Sequence, residues 1–482
     1  MKAVFQRLLK DSMIYGFGSL ASKSVTFFAL PVYTRLLLPA EYGYLESLLI
    51  MGNLLAAFII MGMDSALSMF YYKHKSDGVS IQSEIISAVL QWRILSSIVL
   101  VLIVVLCSAA INEKVFSMGL TPLTISIAFI GTFFTQILSQ CAEVMRLMFR
   151  PYQYLSIMLG QSVGSALLSI LFIYKFEMGL LGYFMGVSLA GIVISLFGLY
   201  SLRAFLNFSR LYIEWWMALL KFGLPLLPAG LSIYFMSTAD RWFILHYHGP
   251  EMLGYFAVAA KFSMVITLIV EAFRTAWWPH AMDCLHDEKL HGIFDRISGA
   301  YISVGVLIII LLTLISSSLV GFVAGEKYSV SSSIVGILAW QPFFYGYYLI
   351  CSIGIWKSEK TYLSLIIATL AAVLGIVLNF ILVPKYGLNG AAMATAITYF
   401  LWIVVTFRVS DRLLDLNIDK AIFFTLVIVG FFSVCLISFP LIGNHKSIDL
   451  IIVLIANILA YLYVFLRLKI LNVKRINEGN NY

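Results

Sequence analysis

The chain has 482 residues, of which 61% are hydrophobic and only 12% are charged. Soluble domains average roughly 45–50% apolar and about 25% charged residues, because charged side chains cover their water-facing surface. This composition excludes a soluble enzyme, a nucleic-acid-binding module and a disordered scaffold, and it predicts an integral membrane protein. The net charge of +8 is typical of basic residues that face anionic lipid and the cytoplasm, so we expect no nucleic-acid partner.

Apolar runs of about 20 residues, the length that crosses a bilayer, occur throughout the chain. The first run contains Lys23 and ends near Pro31 without a small-residue cleavage site, so it is interpreted as a membrane helix and not as a signal peptide. There are fourteen such runs, at residues 12–32, 43–63, 86–110, 121–141, 155–174, 179–200, 217–238, 252–272, 298–323, 333–354, 362–383, 387–408, 421–441 and 448–468. The sequence therefore predicts an all-α integral membrane fold of about fourteen transmembrane helices, with no separate soluble domain.

The distribution of lysine and arginine predicts the orientation of these helices. Basic residues favour cytoplasmic segments. With the N-terminus in the cytoplasm, cytoplasmic segments hold about three times as many basic residues as the opposite side, which has Arg35, Lys114, Lys175, Arg241, Lys327, Lys385 and Lys446. An even helix count then places both termini in the cytoplasm.

Short matches indicate that one unit is repeated. Residues 178–182 (MGLLG) match residues 386–390 (YGLNG), and residues 39–44 (PAEYGY) resemble residues 250–255 (PEMLGY). Six helices per copy is an even number, so the copies form a parallel repeat whose axis runs along the membrane normal. We predict an N-terminal bundle at 1–200, an interfacial linker at 201–216, a C-terminal bundle at 217–410, and helices 13 and 14 with a cytoplasmic tail at 411–482. Two parallel bundles favour transport by alternating access.

Small residues spaced four apart occur in the fifth and sixth runs. Gly160 and Gly164 form one such pair, and Gly182 and Gly186 form the other. Because small residues let two helix backbones approach closely, these pairs predict close helix contacts.

Two lysines lie near the middle of apolar runs, Lys23 in the first and Lys261 in the eighth. A lysine at the bilayer centre costs roughly 2.5–3.5 kcal/mol on insertion scales, so each must face a partner or a wet cavity. One interpretation is a lysine bonded to carbonyls or to a carboxylate within the packing. The favoured interpretation is a cationic cavity for an anionic substrate, because the two lysines belong to different predicted bundles and no acidic residue stands out at the same depth.

Six further polar residues are weaker candidates for a gate or a secondary substrate contact. They are Arg35, Asn53, Asp64, Asp240, Arg241 and Gln341. The adjacent Asp240 and Arg241 predict either a local ion pair or an outer gate. Arg93 lies close enough to the cytoplasmic side to extend its guanidinium to the interface.

Motifs for catalysis and for cofactors are missing from the sequence. It contains no Walker A motif, no G-x-S-x-G and no H-E-x-x-H. The five cysteines form no C-x-x-C pair, so no disulfide framework or zinc site is indicated. We therefore predict no catalytic residues, no metal and no cofactor.

Four stretches carry a family resemblance: residues 35–43 (RLLLPAEYG), 62–66 (GMDSA), 222–228 (FGLPLLP) and 386–390 (YGLNG). With the duplicated plan, they resemble bacterial flippases for polysaccharide (O-antigen or capsule) repeat units, in the multidrug/oligosaccharidyl-lipid/polysaccharide exporter superfamily. The resemblance implies a V-shaped fold of two bundles with a cation-lined central cavity, to which Lys23 and Lys261 correspond. It also implies an undecaprenyl-diphosphate-linked oligosaccharide as substrate.

The resemblance further implies a location in the bacterial plasma (inner) membrane and contact with membrane lipids. The resemblance does not decide whether a counter-ion such as H⁺ or Na⁺ is coupled to transport. It also does not decide whether partner proteins such as a glycan polymerase or ligase bind the protein. One alternative function is an ion-coupled multidrug extruder of the same fold, which predicts an acidic residue deep in the cavity. Another is a membrane glycan polymerase or glycosyltransferase, which predicts catalytic acids on an extended loop.

Overall fold

The computed structural model describes residues 2–284, 291–414, 418–439 and 446–479, and every regular element within them is helical. The α-helices are α1 (Lys2–Leu36), α2 (Pro39–Ile60), α3 (Met63–Lys73), α4 (Val79–Leu106), α5 (Ser108–Lys114), α6 (Pro122–Leu147), α7 (Pro151–Tyr174), α8 (Gly179–Leu202), α9 (Ile213–Gly223), α10 (Leu227–Cys284), α11 (His291–Ala324), α12 (Ser332–Leu338), α13 (Trp340–Cys351), α14 (Ile353–Lys357), α15 (Tyr362–Leu413), α16 (Lys420–Ser438) and α17 (Lys446–Gly479). Short 3₁₀ turns occupy Lys75–Asp77, Arg203–Phe205, Leu224–Leu226 and Glu326–Ser331.

Eleven helical stretches in the described ranges are long and apolar enough to cross a membrane. Two of them, Ile213–Trp277 and Tyr362–Leu413, have 65 and 52 residues. Even the shorter is about 78 Å long at 1.5 Å per residue, more than twice the ~30 Å hydrocarbon core. The helical geometry breaks at Gly249 (φ 81°) in the first and at Gly387 (φ 54°) in the second. The all-helical membrane fold is confirmed, whereas the count of fourteen transmembrane helices stays a prediction.

The segment predicted as a linker is held against α4 by hydrogen bonds from its backbone. The amide N–H of Asn207 donates to Ser87 Oγ over 2.8 Å. The side chain of Gln91 makes two bonds, because its Nε2 donates to the Arg210 carbonyl over 2.8 Å and its Oε1 accepts from the Tyr212 N–H over 3.2 Å. These bonds satisfy backbone groups that the irregular linker would otherwise leave without partners.

The chain divides into two compact units, Met1–Gly254 and Tyr255–Tyr482. In the first, a core of fully buried apolar residues joins α3, α4, α6 and α9 and includes Met63, Ile85, Cys141 and Leu219. In the second, the indole of Trp340 is fully buried among the rings of Phe343, Phe344 and Phe431. Each unit therefore has an apolar interior of its own.

Both predicted pairs of small residues lie at the contact between α7 and α8, as expected. A methyl group built on Gly160 would lie 2.9 Å from Ile194 Cδ1, and one on Gly182 would lie 3.0 Å from the carbonyl carbon of Phe172. The closest approach is at Gly186, where the added carbon would lie 2.3 Å from the backbone nitrogen of Ser169. Gly164 has more room, with Ala190 Cβ at 3.4 Å.

The difference between these glycines gives a prediction for stability. We expect Gly186→Ala to lower the free energy of unfolding by about 1–3 kcal/mol, because the methyl group must displace backbone of α7. Gly164→Ala is the matched control, since its methyl group makes an ordinary van der Waals contact in the same hairpin. Thermal unfolding of the two variants in detergent measures the difference, and equal unfolding midpoints would contradict the contact described.

Candidate functional site

The two lysines proposed for substrate binding lie far from the ends of their helices. Lys23 is 13 residues before the last residue of α1, which corresponds to about 20 Å. Lys261 is 12 residues after the bend at Gly249 in α10, or about 18 Å. These distances exceed half of a ~30 Å hydrocarbon core, and both side chains are half-buried. Lys23 belongs to the first compact unit and Lys261 to the second, and their role in binding stays a prediction.

A buried cluster of charges joins α2 to the first part of α10. Arg241 Nε donates to Glu46 Oε1 over 3.0 Å, and Arg241 Nη1 donates to Asp240 Oδ1 over 3.0 Å. The same Nη1 also donates to the Ser237 carbonyl over 2.9 Å. Asp240 and Glu46 are only 2% and 7% exposed. Of the two alternatives for Asp240 and Arg241, the structure contains the local ion pair, and it adds a third charged residue from another helix.

Glu46 was missed by the sequence reasoning, although one signal pointed to it. It is the only acidic residue in the apolar run 43–63. A lone carboxylate inside such a run is costly unless it is paired, so it marks a site of interaction. Its partner Arg241 is 195 residues away in the chain, and nothing in the sequence connects the two.

The contact between α2 and α10 extends from this cluster toward the C-terminal end of α2. One turn further along α2, the carbonyl of Ile50 accepts a hydrogen bond from the Tyr234 hydroxyl over 2.6 Å. Beyond the end of α2, a methyl group on Gly62 would lie only 2.1 Å from the carbonyl oxygen of Gly223. Helix α2 therefore contacts α10 at Glu46 and Ile50, and we call this contact the α2–α10 seam; just after α2, Gly62 meets the last residue of α9.

A second ion pair, between the buried Arg93 and the partly exposed Asp64, corrects one expectation. Arg93 of α4 is 1% exposed; its Nη2 donates to Asp64 Oδ1, and its Nη1 donates to the Gln136 carbonyl over 3.2 Å. The expectation that Arg93 extends to the interface is wrong, because a carboxylate and a carbonyl take the place of water around its guanidinium. Asp64, one of the weaker candidates, thus connects the start of α3 to α4.

The remaining candidates lie apart from these clusters. Arg35 is exposed in the last turn of α1 and lines a cavity of about 280 Å³ with Pro31 and Tyr174. Asn53 is exposed on α2, and Gln341 Nε2 donates to the Tyr399 hydroxyl over 3.3 Å, joining α13 to α15. Within the described ranges, no group of three or more His, Cys, Asp and Glu side chains is placed to hold a metal ion.

Two proteins of Haemophilus influenzae (strain ATCC 51907 / DSM 11121 / KW20 / Rd) are similar in sequence. The Lsg locus putative protein 1 is 23% identical over 289 residues, which cover 59% of this chain and 68% of that protein. An uncharacterized membrane protein is 21% identical over 293 residues, covering 58% of this chain and 66% of that protein.

Solved membrane transporters share the fold. The lipid II flippase MurJ, in an inward closed conformation, superposes with a TM-score of 0.69 at 15% identity, covering 94% of this chain and 98% of MurJ. An inward-facing multidrug resistance transporter of the MATE family in the MOP superfamily gives a TM-score of 0.59 at 17% identity, covering 86% of this chain and 99% of the transporter.

A match of the sequence to a family model shows which family the chain belongs to. The model of the polysaccharide biosynthesis protein family matches residues 8–283, which is more than half of the chain. This multi-pass membrane protein therefore belongs to the polysaccharide biosynthesis protein family.

Proposed function

We propose that the protein is a flippase that moves an undecaprenyl-diphosphate-linked oligosaccharide from the cytoplasmic to the outer leaflet of the bacterial plasma membrane. The observation that carries the proposal is a polysaccharide biosynthesis family sequence on the fold of a lipid II flippase. The predicted parallel repeat supports the same conclusion, because two related bundles can expose a site to each side of the membrane in turn.

The proposed cargo explains why a protein is needed. A diphosphate with a sugar chain loses its hydration in hydrocarbon, and an unpaired charge there costs many kcal/mol. A polar passage replaces that hydration while the polyprenyl tail stays in lipid. With the cytoplasm negative, moving the anion outward also gains roughly 2.3 kcal/mol per charge per 100 mV. The membrane potential thus assists transport in the proposed direction.

Lys23 and Lys261 are the proposed ligands of the diphosphate. Lysine binds phosphate as a compact charge, whereas arginine forms two parallel hydrogen bonds in a fixed geometry. Lysines therefore suit a transient site that recognises charge and releases its ligand. A secondary role in gating is proposed for Asp240 and Arg241, because they belong to the α2–α10 seam.

A second candidate function is an ion-coupled multidrug extruder. That function requires an acidic residue away from water, and the sequence offered no obvious one. The burial of Asp240 and Glu46 now supplies two such residues, and solved MATE transporters share the fold. Drug sensitivity of a deletion strain that keeps normal surface polysaccharide would favour this candidate over the flippase.

Deletion of the gene separates transport from synthesis. We expect the deletion strain to accumulate complete lipid-linked repeat units that remain accessible only from the cytoplasmic leaflet, because synthesis continues while export stops. Oxidation of the glycan in intact and in opened spheroplasts measures the sidedness. A strain that makes no complete repeat unit would instead indicate a glycosyltransferase or polymerase.

Substitution of the lysines tests the proposed site. We expect Lys23→Ala and Lys261→Ala each to lower export about 10–100-fold, because a hydrogen bond to a charged group contributes about 1.5–3 kcal/mol. The arginine variants should keep part of the activity, since the positive charge remains. Export of labelled lipid-linked oligosaccharide from proteoliposomes is the measurement.

The matched control is Lys114→Ala, which removes an exposed lysine from the short helix α5. It should export at the wild-type rate and should show that loss of one positive charge is not itself the cause. Wild-type export by both Lys23→Ala and Lys261→Ala, in correctly folded protein, would refute their role in binding.

A further inference from the structure

Two arginines of the first compact unit are held by aromatic rings and not by carboxylates. The guanidinium carbon of Arg203 lies 4.0 Å from the ring centre of Tyr200, and that of Arg150 lies 5.0 Å from the ring centre of Phe205. Neither arginine forms an ion pair with any residue that the structure describes. Other arginines do form ion pairs with acidic side chains, namely Arg93, Arg146, Arg210, Arg241, Arg274 and Arg467.

The two guanidinium groups approach the same 3₁₀ turn. That turn, Arg203–Phe205, contains both Arg203 and the ring on which Arg150 stacks. The Nη1 of Arg150 donates to Gln153 Oε1 over 3.4 Å, which uses one of its N–H groups. A guanidinium carries five N–H donors in its own plane, so a ring against its face leaves the other donors available. Donors in this planar arrangement match the oxygens of a phosphate group.

Both arginines lie at one end of the α7–α8 hairpin, at the level of lipid headgroups. Each helix has 24 residues, or about 36 Å, which is enough to cross a hydrocarbon core of ~30 Å. Arg150 directly precedes α7 and Arg203 directly follows α8, so both lie just outside the spanning segments. The sequence predicts that this end faces the cytoplasm.

An exposed apolar face of α8 leads to Arg203. Val193, Leu196, Phe197 and Tyr200 are between 44% and 63% exposed. Their spacing of three or four residues places them on one face of the helix, and Arg203 continues the same spacing. An apolar face on a spanning helix contacts lipid tails, so an acyl chain can lie along it with its headgroup at Arg203.

We propose that Arg150 and Arg203 form a binding site for the phosphate of an anionic phospholipid in the cytoplasmic leaflet. Two positive charges without a carboxylate partner complement a lipid of net negative charge, which that leaflet supplies. A zwitterionic lipid fits less well, because its own cation is repelled by the arginines. The nearby carboxylate of Glu143 does not neutralise them, since it is bonded to Arg146. The inference goes beyond the proposed transport function and does not depend on the cargo.

Substitution of the arginines tests the site. Full-length protein is released from vesicles of phosphatidylcholine and phosphatidylglycerol, and native mass spectrometry measures the phosphatidylglycerol that it retains. We expect Arg150→Gln and Arg203→Gln each to lower the association constant about fivefold, the effect of one basic residue at an anionic surface. Arg146→Gln is the matched control, because its guanidinium is already paired with Glu143. Wild-type retention by the folded double variant would overturn the proposal.

Removal of the ring tests the stacking without changing the charge. We expect Tyr200→Leu to lower phosphatidylglycerol retention about two- to fivefold, because the ring no longer holds the Arg203 guanidinium in place. Tyr152→Leu is the control, since it removes another exposed tyrosine, at the start of α7. Equal losses in both variants would show that an aromatic surface, and not the held arginine, retains the lipid.

Chemical modification tests the wild-type protein and distinguishes the source of the phosphate. Phenylglyoxal reacts with exposed arginines, and peptide mass spectrometry measures the reaction at Arg203 with Arg146 as the internal reference. We expect phosphatidylglycerol vesicles to slow the reaction at Arg203 more than phosphatidylcholine vesicles do. Equal protection by both lipids would overturn the proposal. Protection by undecaprenyl diphosphate or by inorganic phosphate, but not by phosphatidylglycerol, would assign the arginines to another anion and would also overturn it. Because neither assay measures export, failure of the proposed function leaves these results unaffected.

Discussion

The hydrocarbon core of a bilayer contains no water, and this constraint accounts for how the charged residues of the protein are arranged. Arg93 and Arg241 are each held by a carboxylate and by a backbone carbonyl from a neighbouring turn or helix. At a water-exposed surface such pairs contribute about 1 kcal/mol or less. Here, removal of one partner leaves a buried charge without compensation, which costs about 3–5 kcal/mol. Ion pairs therefore specify that α3 meets α4 and that α2 meets α10.

Apolar surface alone does not specify these contacts. Lipid tails are as apolar as leucine side chains, so burial of leucine against another helix gains little over burial in lipid. Close approach of two helix backbones specifies which helices meet, as at Gly186 of α8 and Gly43 of α2. At Gly186, this close approach holds the α7–α8 hairpin together.

Sequence reasoning predicted the fold class because composition and run length record the thickness of the bilayer directly. It also predicted the glycine contacts of α7 and α8, since spacing along one helix face is local information. Sequence reasoning missed Glu46 as the partner of Arg241, and it wrongly predicted that Arg93 extends to the interface. Each of these ion pairs depends on which helices become neighbours. That arrangement follows from long-range packing, and no local pattern encodes it. The contact of Gly43 with the carbonyl of Pro250 lies between these cases: the similarity of residues 39–44 and 250–255 was visible in the sequence, but their contact was not.

The pairing of the arginines bears on which residues are suited to bind a diphosphate. Recruiting Arg241 to a phosphate would take it from Glu46 and Asp240, and two buried carboxylates would then face the anionic cargo. Recruiting Arg93 would likewise separate it from Asp64, whose side chain is 34% exposed. Taking Arg241 from its two buried partners costs several kcal/mol before the phosphate is bound. The arginines are therefore better suited to hold helices together, and the mid-helix lysines, Lys23 and Lys261, are the better candidates for the cargo. Structural stability and substrate binding would then depend on different basic residues, so that binding can be weak and reversible without loosening the fold.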